Sequence, residues 1–339
     1  MGSQATVIVL NWNGHDYLRE CLRSLFAQTY LEVRVLVVDN ASPDESWRIV
    51  DDEFPEAALL RLPENLHFAR GMNAGFARAL EDPRSAFIIA LNNDVRVDPE
   101  WLSSLVAAAE DPHVGMVASK MLFMDRPRYL NSTGIVIARD GSSMDRSWNV
   151  PDEGQWDAHA DVFGPSGGAA LYRRQLLEGV GLFDEDFVAY YEDVDLAWRA
   201  RLAGWQSRFA PGAVVYHKYS GSMAHRSPWR QYQCERNRVW NLVQNYPWRY
   251  VAMGIPWNTL RLAATKFPGR PVAGADGAPG ENAGRSMKVH ARARLDAYAR
   301  IGTALRTRRL RSAARIASAA EVGRWLRRYG PPFRRILEG

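Results

Sequence analysis

Three small oxygen-bearing side chains, Asn92, Asn93 and Asp94, close the apolar run Ala86 to Leu91. A strand that delivers oxygen atoms at its carboxyl end is what a sheet enzyme needs to hold a hard cation against a phosphate. The same residues also suit a turn after a buried strand, so this stretch alone supports either reading. Two other apolar runs end in the same chemistry: Val7 to Leu10 leads into Asn11 and Asn13, and Val33 to Val38 into Asp39 and Asn40. Further on, Glu192, Asp193 and Asp195 cluster where a helix should begin, because Val194, Trp198 and Leu202 fall on one helical face. Carboxylates there complement the helix dipole, a capping role, and the same field keeps them ionised and able to accept a proton. Asp195 fits the capping or surface role better. His217 closes the apolar run Val214 to Tyr216, as a structural residue or as a nitrogen ligand.

The elements that must position these groups alternate. Val7 to Leu10 reads as a buried strand, followed by a helix through Leu18, Cys21, Leu22 and Leu25. Val33 to Val38, a helix from Ser46 to Phe54, a short strand at Leu59 to Leu62, a helix reaching Leu80 and the strand ending at Asn92 complete the series. Such alternation predicts an α/β fold with a mostly parallel, Rossmann-like sheet flanked by helices. Ligands bind such sheets at the carboxyl ends of the strands, so the polar tips should converge on one crevice. Neither GxGxxG after the first strand nor GxxxxGK[ST] is present, which argues against a dehydrogenase or a phosphate-loop NTPase.

A 339-residue chain that is 47% apolar can bury a substantial core. Its two cysteines, Cys21 and Cys234, are too few for a disulfide framework and have no zinc spacing, so a reducing compartment is expected. Charge is unevenly placed. After residue 284 there are 15 Lys and Arg against Asp296, Glu321 and Glu338, so a total of +5 leaves the preceding body at −7. The expected division is a catalytic domain over 1–220, with a nucleotide half to residue 100 and an acceptor half beyond it. A helical extension at 221–267, a Gly/Pro/Ala-rich linker at 268–284 and a basic helical tail over 285–339 follow.

Four motifs, VIVLNWNGHDYLRECLRSLFAQTY, VLVVDNASPDES, ENLHFARGMNAG and ALNNDV, stand in the order and spacing of the family 2 glycosyltransferases. The chain resembles the GT-A branch of that family that includes bacterial rhamnosyl- and galactofuranosyl-transferases. Gly164 to Arg174, Gly181 to Phe187 with Tyr190 to Leu196, and Pro211 to His217 extend the resemblance to roughly residues 5–220; between about 125 and 160 no motif is found. The resemblance implies inverting transfer of a sugar from a nucleotide diphosphate, UDP- or dTDP-linked, to a hydroxyl of a glycan or lipid-linked glycan. It implies Asp94 as principal ligand of Mn²⁺ or Mg²⁺, with His217 as nitrogen ligand and Asn92 departing from the family's commoner Asp. Asn93 is left as a small spacer. Asp193 becomes the base, with Glu192 holding acceptor hydroxyls and exchange of these two roles left open. Asp39 would bond the nucleobase beside Asn11, Asn13 and Asn40, while Asn65 and Asn73 bracket the nucleotide. Arg70 would touch the diphosphate or stand exposed. A catalytically silent binding scaffold is the alternative.

The tail carries Leu295, Tyr298, Ile301 and Leu305 at helical spacing, and more loosely Ile316, Ala320 and Trp325. With Trp240, Trp248, Tyr250 and Trp257, such a basic amphipathic segment suits an anionic membrane surface; packing on the body or on a second subunit is the other reading. Nucleic acid ranks third, since no recognition motif accompanies the charge. The expected location is cytoplasmic or peripheral on the inner face of the plasma membrane. No apolar stretch is long enough to span it.

Overall fold

The computed structural model describes residues 4–219, 227–254 and 283–331. They fall into two units, one built from residues up to 136 with 144–219, the other from 137–143 with residues from 227 onward.

In the first unit, strands β1 (Gln4–Asn11), β2 (Val33–Asp39), β3 (Ala58–Arg61) and β4 (Ser85–Asn92) are parallel and lie in the order β4-β1-β2-β3. The crossovers are α1 (Leu18–Phe26), α2 (Arg48–Glu53) and α3 (His67–Leu80). Each crossover exists because its apolar residues repeat at helical spacing: α1 buries Leu18, Cys21, Leu22 and Leu25. Burying one such leucine contributes about 1.5–3 kcal/mol before chain entropy is counted. Register then does the positioning. Asn11 stands opposite Asp39, and Leu10 opposite Asn92, so the polar tips end level with one another.

Beyond β4 the sheet becomes mixed. β5 (Val95–Val97), α4 (Trp101–Ala108), β6 (Val114–Phe123) and β7 (Arg126–Ser132) come next in the chain. β8 (Ile135–Ile137) and β9 (Ser143–Asp145) form a separate two-stranded ribbon, and β10 (Val150–Pro151) pairs with β7. β11 (Ala169–Arg173) is antiparallel to both β4 and β6. After α5 (Arg174–Val180) and α6 (Glu192–Leu202), β12 (Gln206–His217) runs parallel to β6 and antiparallel to β5. The last pairing sets His217 against Val95, one residue from Asp94.

The second unit is helical, with α7 (Pro228–Asn245), α8 (Ala283–Ala299), α9 (Ile301–Leu310) and α10 (Ala319–Arg328). All but the last two residues of the expected 268–284 linker lie outside the described residues, as does Trp257. The expected apolar stripe of the tail is not its packed face. Leu295 is 69% exposed, and the buried positions are Ala293, Ala297 and Ala304. Alanine permits the close approach that lets the Trp240 indole N–H donate to the carbonyl of Ala297, so Trp240 is buried and is no membrane anchor. In α10 the buried side is Val322 and Leu326, continued by Tyr329, while Ile316 is 74% exposed. Among the described residues no helix is long and apolar enough to cross a membrane.

Gly75 lets α3 lie against the sheet. A Cβ there would come within 2.4 Å of Ile8 Cγ2 and 3.0 Å of Val38 Cγ2, both on buried strands. Gly75→Ala should therefore destabilise the protein by about 1–3 kcal/mol despite alanine's better helix propensity, seen as a lowered urea midpoint.

Candidate active site

The strand tips are wired together by one side chain. The Asn11 amide, fully buried, donates to Asp39 Oδ1 at 3.1 Å, Ser42 Oγ at 3.2 Å and Ser46 Oγ at 2.8 Å. Its oxygen accepts from Asn93 Nδ2 at 2.9 Å. Asn93 is thus a cross-strand tie and not a spacer, because its short amide reaches from the β4 tip to that of β1. Asn40 makes the next link, donating to Asn65 Oδ1 at 3.0 Å and to the His67 carbonyl, and accepting from the Leu66 amide. Asp39 Oδ2 accepts from the Ser42 amide at 3.3 Å. Asn13 sits at φ 51°, and its buried Oδ1 has no hydrogen-bond partner among the described residues.

Two further expected residues make contacts within the fold. Asn73 holds the backbone of Phe183, donating to its carbonyl at 2.9 Å and accepting from its amide at 3.0 Å, so its amide is committed to the fold. The half-exposed Arg70 pairs with Glu185 at 3.1 Å.

At the β4 end, His217 Nε2 lies 3.3 Å from Asp94 Oδ1 and 3.5 Å from Asn92 Nδ2, with Asp94 and His217 both buried. The other ring nitrogen, Nδ1, is 2.9 Å from Asn131 Oδ1. An amide oxygen can only accept, so Nδ1 donates to it, and Nε2 is the ring nitrogen turned to the Asp94 carboxylate. Two electron-rich atoms this close call for a proton or a metal ion between them. Neighbouring ligands of an octahedral Mg²⁺-sized ion stand roughly 3 Å apart, so the pair fits such an ion. Among the described residues no group of three or more His, Cys, Asp or Glu side chains is placed to hold one. The protein would supply a nitrogen and an oxygen donor, and bound phosphate the rest.

Asn131 comes from the stretch in which the sequence offered no motif. That stretch also supplies Trp148, flanked by Ser147 and Asn149 at φ 63° and 57°. Trp148 packs on Tyr219 at 4.5 Å and on Phe123 at 4.9 Å between ring centroids, and Tyr219 stands 5.8 Å from His217. Such residues announce themselves only through strand pairing, since no spacing rule links 131 or 148 to 217.

The carboxylate pair opens α6. Its approach is strained: Val188, Tyr190 and Tyr191 have φ of 66°, 66° and 73°. Val188 centres a tight turn in which the Ala189 amide donates to the Phe187 carbonyl, and its own carbonyl accepts from Ala69 in α3. Positive φ at a β-branched residue costs on the order of 1–3 kcal/mol and persists only where the surroundings impose it. Asp193 accepts from the amides of Gly167 at 2.8 Å and Val194 at 2.7 Å. Glu192 is buried, and its Oε2 has no hydrogen-bond partner among the described residues. Burial, then the charge of Asp193, holds Glu192 well above the usual carboxylate range. Burial also pushes Asp193 up, to about 6, against the opposing pull of the Gly167 amide. Asp195 is fully buried and bonds Arg199 Nε at 2.8 Å, which corrects its surface assignment. Arg199 in turn donates to the carbonyls of Val180, Gly181 and Leu182, holding the segment that leads into the strained turn.

Gly167 and Gly168 join the two edges. The Gly168 carbonyl accepts from the Asn92 amide at 3.0 Å. A Cβ on Gly168 would stand 3.3 Å from Asn92 Nδ2, and one on Gly167 3.2 Å from Asp193 Cβ. The arrangement sets two buried carboxyls with raised pKa values beside a glycine pair whose second member bonds Asn92, at the strand end near Asp94 and His217.

The family description "Glycosyl transferase family 2" matches residues 6–181. The N-acetylglucosaminyl-diphospho-decaprenol L-rhamnosyltransferase of Mycobacterium tuberculosis is 29% identical over 229 residues, 62% of this chain and 75% of that protein. The O-antigen biosynthesis protein RfbC of Myxococcus xanthus is 27% identical over 227 residues, 65% of this chain but only 18% of that much longer relative. Among solved structures, GalNAc-T7 with UDP, GalNAc and Mn²⁺ matches with a TM-score of 0.59 at 14% identity, over 86% of this chain and 54% of that one. This last likeness is one of fold, and it places the chain with the GT-A glycosyltransferases.

Both carboxyls of the α6 pair have raised pKa values, so the ionised forms are disfavoured in the fold. Their stabilising contribution is complete below the unfolded value and is lost as pH rises through about 6 for Asp193. Thermal melts between about pH 4 and about pH 8 should show stability falling across this window, with a smaller slope in Asp193→Asn because Glu192 still contributes.

Proposed function

The chain belongs to glycosyl transferase family 2, and from that premise we propose that it is an inverting, metal-dependent glycosyltransferase. It transfers a hexose, rhamnose-like in class, from a UDP- or dTDP-linked donor to a hydroxyl of a cell-envelope glycan or its lipid-linked precursor. The observation that carries this reading is the pair of carboxyls with raised pKa values, Glu192 and Asp193, joined through Gly167 and Gly168 to the edge formed by Asn92, Asp94 and His217.

Inversion requires one in-line displacement, with a base on the acceptor side and charge stabilisation on the leaving-group side. Asp193 takes the proton from the attacking hydroxyl: it is ionised above about 6, and the Gly167 and Val194 amides hold its carboxylate in place. Glu192, held neutral at the same pH by burial and by Asp193, donates its proton as a hydrogen bond to an acceptor oxygen and does not compete as base. Asp94 and His217 would hold Mn²⁺ or Mg²⁺, which when bound supplies Lewis-acid stabilisation of the departing diphosphate. Asn131 fixes the tautomer that leaves Nε2 available. On the donor side, the unpartnered Asn13 Oδ1 and the rigidly held Asp39 are the nucleoside contacts. The rhamnosyltransferase relative motivates the sugar class and the lipid-linked acceptor.

Calorimetry with UDP and dTDP should show binding that strengthens on addition of Mn²⁺, and little Mn²⁺ binding without nucleotide. Asp94→Ala should remove the metal enhancement, and Asn131→Ala should weaken it about 10-fold or more while the fold melts normally. If neither nucleotide binds with or without metal, the donor assignment fails. Asp193→Asn should keep nucleotide binding and lose transfer by about 100-fold or more. In the parent protein transfer should rise with pH through about 6, as the Asp193 carboxyl loses its proton.

A further inference from the structure

The helices of the second unit sort their arginines into two sets. One set is spent inward. Arg294 pairs with Glu235 of α7, Arg308 donates to the carbonyls of Val243 and Tyr246 at 2.7 Å, and Arg311 to Gln244 Oε1 at 3.3 Å. These contacts, with Ala293, Ala297 and Ala304 buried, fix which side of α8 and α9 is packed. The other set, Arg292, Arg300, Arg306 and Arg309, is exposed.

Apolar side chains stand in the same solvent-facing rows. Leu295 is 69% exposed, Leu310 77% and Ile316 74%, with Tyr298 and Leu305 each at 40%. Arg292, Leu295 and Ala299 follow one another at helical spacing on α8, and Gly302, Leu305, Arg306 and Arg309 do so on α9. Single exposed leucines are ordinary. Here, however, they recur with arginine, and the chain from Ala297 to Ala320 contains six arginines and no carboxylate. Within the otherwise acidic protein this is a surface both apolar and cationic, the Asp296 carboxylate beside Arg292 being shared with the Tyr232 hydroxyl.

We propose that the outward face of α8, α9 and the segment through Ile316 docks on an anionic lipid bilayer. Both halves of its chemistry have a counterpart there: phosphate headgroups for the exposed arginines, and the acyl boundary for Leu295, Leu305, Leu310 and Ile316. A nucleic acid would match the cations and leave the aliphatic side chains without an apolar partner. A second copy of the same face would bring like charges together. The inference needs nothing from the donor site, although a lipid-linked acceptor would give it a use.

The test is sedimentation of the full chain with phosphatidylcholine vesicles and with vesicles containing about 30% phosphatidylglycerol. Binding is expected to the second only, weakening several-fold from about 50 mM to about 300 mM NaCl as charges are screened. Leu305→Glu/Leu310→Glu and Arg306→Glu/Arg309→Glu should each lose at least about tenfold in partitioning, with unchanged melts and unchanged Mn²⁺-dependent UDP binding. The proposal is overturned if the parent protein stays in the supernatant with anionic vesicles, or if either double variant binds as the parent does. It is also overturned if the leucine variant is unaffected and a short RNA duplex displaces the protein. Should UDP fail to bind while vesicle binding follows the expected pattern, the donor assignment fails and the docking face stands.

Discussion

A single buried amide, that of Asn11, makes the strand ends one structure. A parallel sheet brings its carboxyl termini to a common edge, but each tip leaves polar backbone with no ladder to enter. Asn11 ties the side chains gathered at that edge with no exposure at all, spending its N–H groups on Asp39, Ser42 and Ser46 and its oxygen on Asn93. Asn suits this position because it donates and accepts from one short side chain, and neither Asp nor Leu does both. Gly14 belongs to the same solution, since a Cβ there would overlap Asn11 Oδ1 at 1.9 Å. With the tips fixed, Asn92 and Asp94 inherit their position from backbone they do not control.

The acid edge rests on a different device, strain held by packing. Three residues in a row of four, Val188, Tyr190 and Tyr191, occupy the left-handed region just before Glu192. Their conformation is tied down by the Ala69 amide of α3, which donates to the Val188 carbonyl, and by the Asp195–Arg199 pair gripping the carbonyls of residues 180–182. Asn73 adds the bond to Phe183 between them. A buried ion pair with every donor satisfied contributes little net stability, yet it specifies one arrangement of the loops around it. Asn73, expected at the nucleotide, and Asp195, expected at a cap or on the surface, are thus committed to the backbone that they and Arg199 hold.

What could be read in the sequence divides along the same physical line. Local periodicity revealed the four parallel strands and their crossovers, because apolar spacing reports directly on which face is buried. Motif order pointed to Asp94, Asp193 and His217. Asn131 and Trp148 were illegible, since they reach His217 only through the β6–β7 and β9–β10 returns, a tertiary pairing with no local signature. The packed side of the tail was illegible for a related reason. Leucine and tyrosine at helical spacing left membrane contact and packing both open, whereas close contact of α8 with α7 uses alanine, which carries almost no weight in a hydrophobic pattern.

Two adjacent glycines explain how both edges can act on one reaction. Gly167 gives its amide to Asp193 and Gly168 its carbonyl to Asn92, the last residue of β4. A side chain at either position would press on Asp193 or on Asn92, so absence of bulk is the condition for the contact. The amide of Gly167 also tempers what burial does. Desolvation raises both carboxyls; backbone N–H groups, that of Gly167 foremost, pull Asp193 back to about 6, while burial and the charge of Asp193 hold Glu192 well above the usual range. Two acids of the same kind, side by side, thus sit in different hydrogen-bonding environments, and the residue after Gly167, which serves one of them, bonds the opposite edge.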